Sequence, residues 1–452
     1  MDKTTAYLVD YAIGLTYSRL SPSTIEACKS RLLDTLGCAF GAYRAPLSAA
    51  ARELAHEYSG SRKASVLGSA QPTTPEMAAF ANGVMMRFLD MNDMYREKSG
   101  GHPSDVLAAV LAMAEAVHAD GPAFITAAAL AYEIFCSFCD SIDINSKGWD
   151  QPVYGAIASA IACGKLLGLT REQMGDAVSL ALAPNMTLMQ TRRGELSSWK
   201  GCAAANGSRN AVFAALLAHK GFTGPSDVFE GRDGLWRAVG KFDWAPLDAR
   251  ASPERITRTH LKCFAIGYHG QSAAWAAQDL RGRVAVDDIE EIKIEIYQSA
   301  VDMMGTDASR WEPKTRETAD HSLPYVVATV LLDGAIGDKS FTAEKLSDLR
   351  KLDLMRRTRV TEDLALSAQY PEAAPCRITA RTKRGENVEV SVRYPKGHTG
   401  NPLDQAGIED KFRASSGTCF EGSEMAAIVS HIGSLERSAD IGDLLKLMRV
   451  RP

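Results

Sequence analysis

The sequence predicts a mainly α-helical protein in which a large all-helical domain is interrupted by a smaller α+β domain. Two patterns and one boundary predict it. Apolar residues recur at helical spacing up to about residue 265 and again from about 404. They alternate at Asp288–Tyr297 and Pro375–Tyr394, as in half-buried strands. The Pro/Gly-rich stretch Tyr394-Pro-Lys-Gly-His-Thr-Gly-Asn-Pro402 then marks the return to helix. The expected division is 1–266 plus 403–452 for the helical domain and 267–402 for the α+β domain.

The elements follow in order. Ser23-Thr-Ile-Glu26 reads as a capping box ahead of Cys28, Leu32, Leu33 and Leu36. Pro75–Asp93 carries Met77, Phe80, Val84 and Phe88 on one helical face, and Ser104 is placed to cap the next helix. Residues 121–141 and 151–168 are small and apolar, as in helices that lie wholly inside. Thr170-Arg-Glu-Gln173 is a second capping box, and a helix from about Cys202 ends at His219 before Gly221. In the second domain, Ile289–Tyr297 reads as a strand. Residues 376–382 and 388–394 read as a hairpin turned by Lys-Arg-Gly-Glu-Asn. Helices are expected at about 321–333 and 342–356, and again from 404 to Met448.

Composition narrows the function. The 452 residues are 46% apolar and 23% charged, ordinary values for a folded protein of roughly two to four domains. A net charge of −4 and no run of five Lys/Arg argue against nucleic-acid binding. Nine scattered cysteines point to reduced thiols, and the close pair Cys136 and Cys139 falls inside an apolar helix, where packing is its expected role. Asp2 and Asp10 oppose a secretory or transit leader. The apolar stretch Ala123–Cys139 contains Glu133 and is shorter than the ~20 residues of a membrane span. A cytoplasmic protein without membrane contact is the expectation.

Signature loops for nucleotides, metals and serine nucleophiles are missing. Gly164-Lys165 is followed by Leu166, so it is no phosphate loop. His56-Glu57 lacks the second His of a zinc helix, and Asp90-x-Asn92 meets Tyr95 where a calcium loop needs Gly. No Cys/His set has metal-ligand spacing, so no metal is expected.

Four segments could carry chemistry. Phe88–Asp105 holds Asp90 and Asp93 one turn apart, then Gly100-Gly101 and His102. An imidazole beside a carboxylate is an acid/base pair tunable toward neutral pH. Arg192–Cys202 brings Lys200 to the start of an Ala-rich helix. Leu261–Ser272 places Lys262 and His269 at the domain junction, where ligand clefts concentrate. Thr315–Tyr325 clusters Asp320, His321 and Tyr325 at a helix start, with Pro324 in the first turn. Together they suit a small polycarboxylate, whose carboxylates the cations bind while a base removes a neighbouring proton.

As a set, these segments resemble the MmgE/PrpD family. The resemblance rests on Asp90-Met-Asn-Asp93 with Gly101-His-Pro-Ser-Asp105, then Trp199-Lys-Gly, Lys262-Cys-Phe-x4-His269-x-Gln-Ser and Arg316-Glu-Thr-Ala-Asp-His-Ser-Leu-Pro-Tyr325. That family includes 2-methylcitrate dehydratases, cis-aconitate decarboxylases and iminodisuccinate epimerases. The resemblance implies a helical domain with an α+β lid, a homodimer, and no iron–sulfur cluster or other cofactor. It implies catalytic roles for His102, Asp90 and Tyr325. Lys200, Lys262, His269, His321 and Asp93 are expected to bind substrate. Met94 stands where the decarboxylases carry Thr, and Asp150 or Gln151 where they carry His; both departures point away from decarboxylation. The expected activity is dehydration of a 2-hydroxy tricarboxylate such as 2-methylcitrate. The alternatives are a decarboxylase or epimerase of a related acid, or a non-catalytic helical scaffold.

Overall fold

The computed structural model describes residues 1–451. Its helices begin where the chain supplies stereochemical starts. Proline occupies the first turn of Pro22–Gly41, Pro46–His56, Pro75–Phe88 and Pro152–Leu166. There its fixed φ fits and its missing N–H costs nothing. Thr170 and Gln173 form the expected reciprocal capping box of Arg171–Leu182. The first expected box is displaced: Ser21, not Ser23, accepts from the Thr24 N–H, because Pro22 already fixes the first helical residue.

These helices surround Gly121–Ser141, whose window of highest apolarity is 89% buried by the rest of the chain. Among the described residues it is the one helix long and apolar enough to cross a membrane, at 21 residues, longer than the sequence reading allowed. Asp120 caps it through the Ala123 N–H, and its single charged interior residue, Glu133, pairs with Arg255. Phe138 stacks on Tyr154 at 4.9 Å and meets Trp244 edge-on at 4.5 Å. Cys136 and Cys139 are buried free thiols in this core.

The same apolar cluster takes in Ile408, Phe412, Ile428 and Leu444 from the C-terminal helices. Gln405–Ser416 lies so close to Pro22–Gly41 that a Cβ at Gly37 would come within 3.1 Å of the Phe412 backbone. A second cluster runs from Phe264 to Val390 and also takes in Met94. The packing break at Leu261–Phe264 falls a few residues before 266.

The second body is built on one four-stranded sheet in the order Thr358–Glu362, Ile289–Ile296, Cys376–Thr382, Asn387–Val392. The first pair is parallel and the others antiparallel. Ile289 and Ile292 are three apart yet both buried, because a bulge between Ile289 and Glu291 shifts the register. Gly385, at φ +84°, supplies the hairpin turn. Gln271–Arg281 and Leu323–Asp333 contribute Ala273, Ala277, Val327 and Leu331 to the core beneath the sheet. The strand Thr358–Glu362 escaped the sequence reading. It lies at the sheet edge, and Val360 is its one large apolar residue.

The chain crosses between the bodies twice, side by side. The Leu261 N–H donates to the Gly397 carbonyl at 2.8 Å, and the Thr399 N–H to His260 Nδ1 at 3.1 Å. The His260 and His398 rings stack at 4.2 Å. His260 is also bridged, backbone to backbone in both directions, to Met94 in the loop between Phe88 and Pro103.

Truncating Phe412 to Ala should cost about 3–5 kcal/mol of stability in denaturant unfolding of the helical signal, the usual worth of a fully buried Phe. A loss below about 1 kcal/mol would place the C-terminal helices outside the first core.

Candidate active site

The helix Pro75–Phe88 stops five residues short of its expected end. Asp90 then adopts φ +50°, a left-handed conformation that Asp tolerates better than most residues. The turn directs its carboxylate inward, where it is 2% exposed. Three cations converge on it, two of them from distant parts of the chain. Arg87, one turn earlier, and Lys262 Nζ, at 2.6 Å, reach Oδ1, while Lys200 Nζ lies 2.9 Å from Oδ2. Burial alone would raise the Asp90 carboxyl. Arg87, Lys200, Lys262 and the adjacent His321 outweigh it and hold the group well below the usual carboxylate range. Asp90, Asp320 and His321 stand close enough together to share a cation. The Lys200 ammonium supplies that charge, 3.3 Å from Asp320 Oδ1.

His102 follows a two-residue ribbon in which Tyr95 pairs with Gly101 and Arg96 with Gly100. Glycine is required here: a Cβ at Gly101 would lie 2.6 Å from the Phe135 ring and 2.9 Å from Gln151 Oε1. His102 Nδ1 is 2.7 Å from the Asp93 carbonyl oxygen. A carbonyl can only accept, so Nδ1 carries the proton and Nε2 keeps its lone pair. Nε2 faces Asp90 Oδ1 at 3.9 Å. Burial, then Arg87 and Lys262, push the His102 imidazolium well below its ordinary range, so the ring is neutral at pH 7. His321, with Nδ1 2.5 Å from Asp320 Oδ1, is lowered to about 4 by burial and Lys200.

Asp90, His102, His269 and His321 line one cleft that is open to solvent and encloses about 90 Å³. Four expected residues therefore meet. His269 is fixed by a 2.8 Å hydrogen bond between Nδ1 and the Tyr297 hydroxyl. Met94 and Gln151, the two departures from the decarboxylase pattern, also face this cleft.

Other expectations need correction. Tyr325 is fully buried in the second body; its hydroxyl donates to the Ser340 carbonyl at 2.5 Å and its ring stacks on Phe341. The helix starts at Leu323, with Ser322 as its cap. His321 therefore stands outside it, and the four-residue spacing does not align the two side chains. Asp93 does not face the cleft: its Oδ1 accepts the Ser104 N–H at 3.0 Å, and its carbonyl orients His102. The Ser104 hydroxyl oxygen accepts from Asn92 Nδ2 at 2.9 Å, and the chain enters Leu107–Ala116 through a 3-10 turn rather than a serine cap. Lys200 and Lys262, 3% and 1% exposed, lie behind Asp90 instead of presenting free ammonium groups to a ligand.

Sequence reasoning did not single out Arg87, Arg96, Arg192 or Tyr268. Arg87 was legible in principle, since i,i+3 pairs share a helix face. Arg192 lines the cleft and is paired with Asp150 at 2.9 Å.

Lys262 gives a measurable consequence. Burial, Arg87 and Lys200 lower its ammonium to about 8 against the pull of Asp90. Above that pH Asp90 loses one of its three cations. Activity should show an alkaline limb near pH 8, and Lys262→Arg, which keeps its charge, should move that limb upward. A limb unmoved in the arginine variant would separate Lys262 from activity.

Known proteins resemble this chain along most of its length. The MmgE/PrpD N-terminal domain matches residues 6–246 and the MmgE/PrpD C-terminal domain residues 264–434. The 2-methylcitrate dehydratase of Cupriavidus necator is 28% identical over 95% of this chain and 93% of its own. That of Escherichia coli strain K12 is 30% identical over 91% and 89%. The cis-aconitate decarboxylase of Aspergillus terreus is 24% identical over 98% and 95%. Both halves of the sequence and the helical architecture thus lead to one conclusion: the chain belongs to the MmgE/PrpD family.

Proposed function

We propose that the protein is a lyase that removes water from a 2-hydroxy tricarboxylate such as 2-methylcitrate. The observation that carries this reading is the neutral His102, its Nδ1–H fixed on the Asp93 carbonyl and its Nε2 lone pair beside the cleft. In this mechanism Nε2 takes the proton from the carbon next to a carboxylate. The resulting imidazolium is stabilised by Asp90. The negative charge that develops on the substrate carboxylate is met by Arg192, a guanidinium that lines the cleft. With Tyr325 outside the cleft, the same imidazolium returns its proton to the departing hydroxyl, which leaves as water, and the alkene remains.

Gln151 supports a hydroxy acid as substrate. Its Nε2 donates to Asp105 Oδ2 at 3.3 Å, which leaves Oε1 a buried acceptor without a partner at the cleft. A substrate hydroxyl suits it. Met94 and Gln151 supply no proton donor comparable to the Thr and His of the decarboxylases. The names of the dehydratase relatives add to this reading.

A second reading rests on His321. Two neutral imidazoles, His102 and His321, face one cleft within 3.9 and 3.6 Å of the same carboxylate. With His102 taking the proton, His321, charged from solvent, would return one to the opposite face of the same carbon and so epimerise it.

The deciding test is a paired assay on one preparation, given 2-methylcitrate, citrate, cis-aconitate and iminodisuccinate. Ultraviolet absorbance reports the alkene, gas analysis reports CO₂, and NMR in D₂O reports exchange without water loss. Alkene from a hydroxy acid with negligible CO₂ is expected. Rapid CO₂ release without alkene, or exchange alone, would overturn dehydration. His102→Ala should lower kcat by about 10²–10⁴. Because the ring is held neutral, kcat/KM should stay level down to below about pH 6, under the ordinary histidine range. An acid limb at or above that range would assign the base elsewhere.

A further inference from the structure

The cleft wall opposite the charged layer holds polar atoms that nothing in the protein satisfies. Arg96 lines the cleft, and its Nε is buried with no hydrogen-bond partner. The neighbouring guanidinium groups are ion-paired, Arg87 with Asp90 and Arg192 with Asp150, although Arg87 keeps Nε and Nη2 without partners. Arg96 Nε has no such partner among the described residues. Tyr268 also lines the cleft, is 5% exposed, and its buried hydroxyl has no partner either. Leaving a buried donor unsatisfied costs about 1–3 kcal/mol, so two at one wall call for a ligand that satisfies them.

The scaffold around them is rigid. Arg96 sits in the ribbon opposite Gly100, two residues before His102, so its place relative to the base is fixed by a backbone ladder. Its guanidinium lies over the Tyr370 ring, 5.5 Å from the centroid. Tyr370 stacks on Tyr297 at 4.2 Å, and Tyr297 holds His269. The adjacent Met94 and Met303 have no charge to offer.

We infer that Arg96 and Tyr268 form a subsite that holds the substrate carboxylate farthest from His102, and that they set the preference for three carboxylates over two. A planar guanidinium with a free Nε–H and a phenolic O–H lining the same cleft supply two donors. That pair suits the two oxygens of a carboxylate. The inference rests on the polycarboxylate reading above and goes beyond it by naming which residues count the carboxylates.

The test uses unreactive acids, so it does not depend on the reaction. Tricarballylate (propane-1,2,3-tricarboxylate) and succinate, which lacks one carboxymethyl arm, are titrated calorimetrically onto wild type, Arg96→Gln, Arg96→Lys and Tyr268→Phe. Wild type should bind tricarballylate more tightly than succinate. Arg96→Gln and Tyr268→Phe should each weaken tricarballylate by about 10-fold or more and leave succinate within about twofold. Arg96→Lys, with the charge but not the fork, should fall between. Succinate binding doubles as the check that the variants are folded. Tricarballylate unchanged in both variants, or an equal loss for both acids, would overturn the subsite and leave the polycarboxylate reading standing. Wild type binding neither acid would overturn that reading and the subsite with it.

Discussion

Removing the Asp90 carboxylate from water is the constraint around which the molecule is arranged. An unpaired buried carboxylate costs several kcal/mol, and attraction offsets that only when charged partners are brought close. Arg87 comes from the same helix, Lys200 from the start of another, and Lys262 from the chain as it leaves the first body. None of the three could be supplied by local folding around Asp90 alone, except Arg87. The end of Pro75–Phe88, the left-handed turn at Asp90 and the burial of two lysines therefore belong to one requirement.

That requirement organises the site into two layers. Behind lies a charged layer in which Arg87, Lys200 and Lys262 pair with Asp90. In front lie His102, His269 and His321, which burial and nearby cations keep neutral. The charges that hold one acid ionised also suppress protonation of the bases beside it. A single electrostatic arrangement thus yields a persistent anion and ready proton acceptors within 4 Å.

Much of this was legible in the sequence, for physical reasons that differ by element. The helical body and the hairpin announce themselves through periodicity, since each buries one face. The gathering of Asp90, His102, His269 and His321 followed from loops at helix ends and at a domain junction. The edge strand Thr358–Glu362 gave no signal, because a mostly solvated strand has little apolar alternation to show. Tyr325 misled because nearness in sequence at a helix start does not bring side chains to one place, and the cap at Ser322 separates it from His321. The lysines misled differently: sequence can show that a cation is near a site, not that a buried carboxylate has already claimed it. Arg96 lay between Asp90 and His102 in plain view, yet only the three-dimensional ribbon shows where it sits.

The paired crossings at His260–Leu261 and Gly397–Thr399 have a mechanical consequence. A single tether would act as a ball joint, free to swing in every direction. Two parallel tethers, hydrogen-bonded and with the His260 and His398 rings stacked, define a line instead. Displacement across that line must stretch one tether against the other, whereas rotation about it leaves both nearly unstrained. Met94 is fastened to His260 in both directions, so the pivot also grips the loop that carries the anion and the base. Any opening of one body from the other would turn around the base of the active site, widening the cleft at its rim while its floor stays in register.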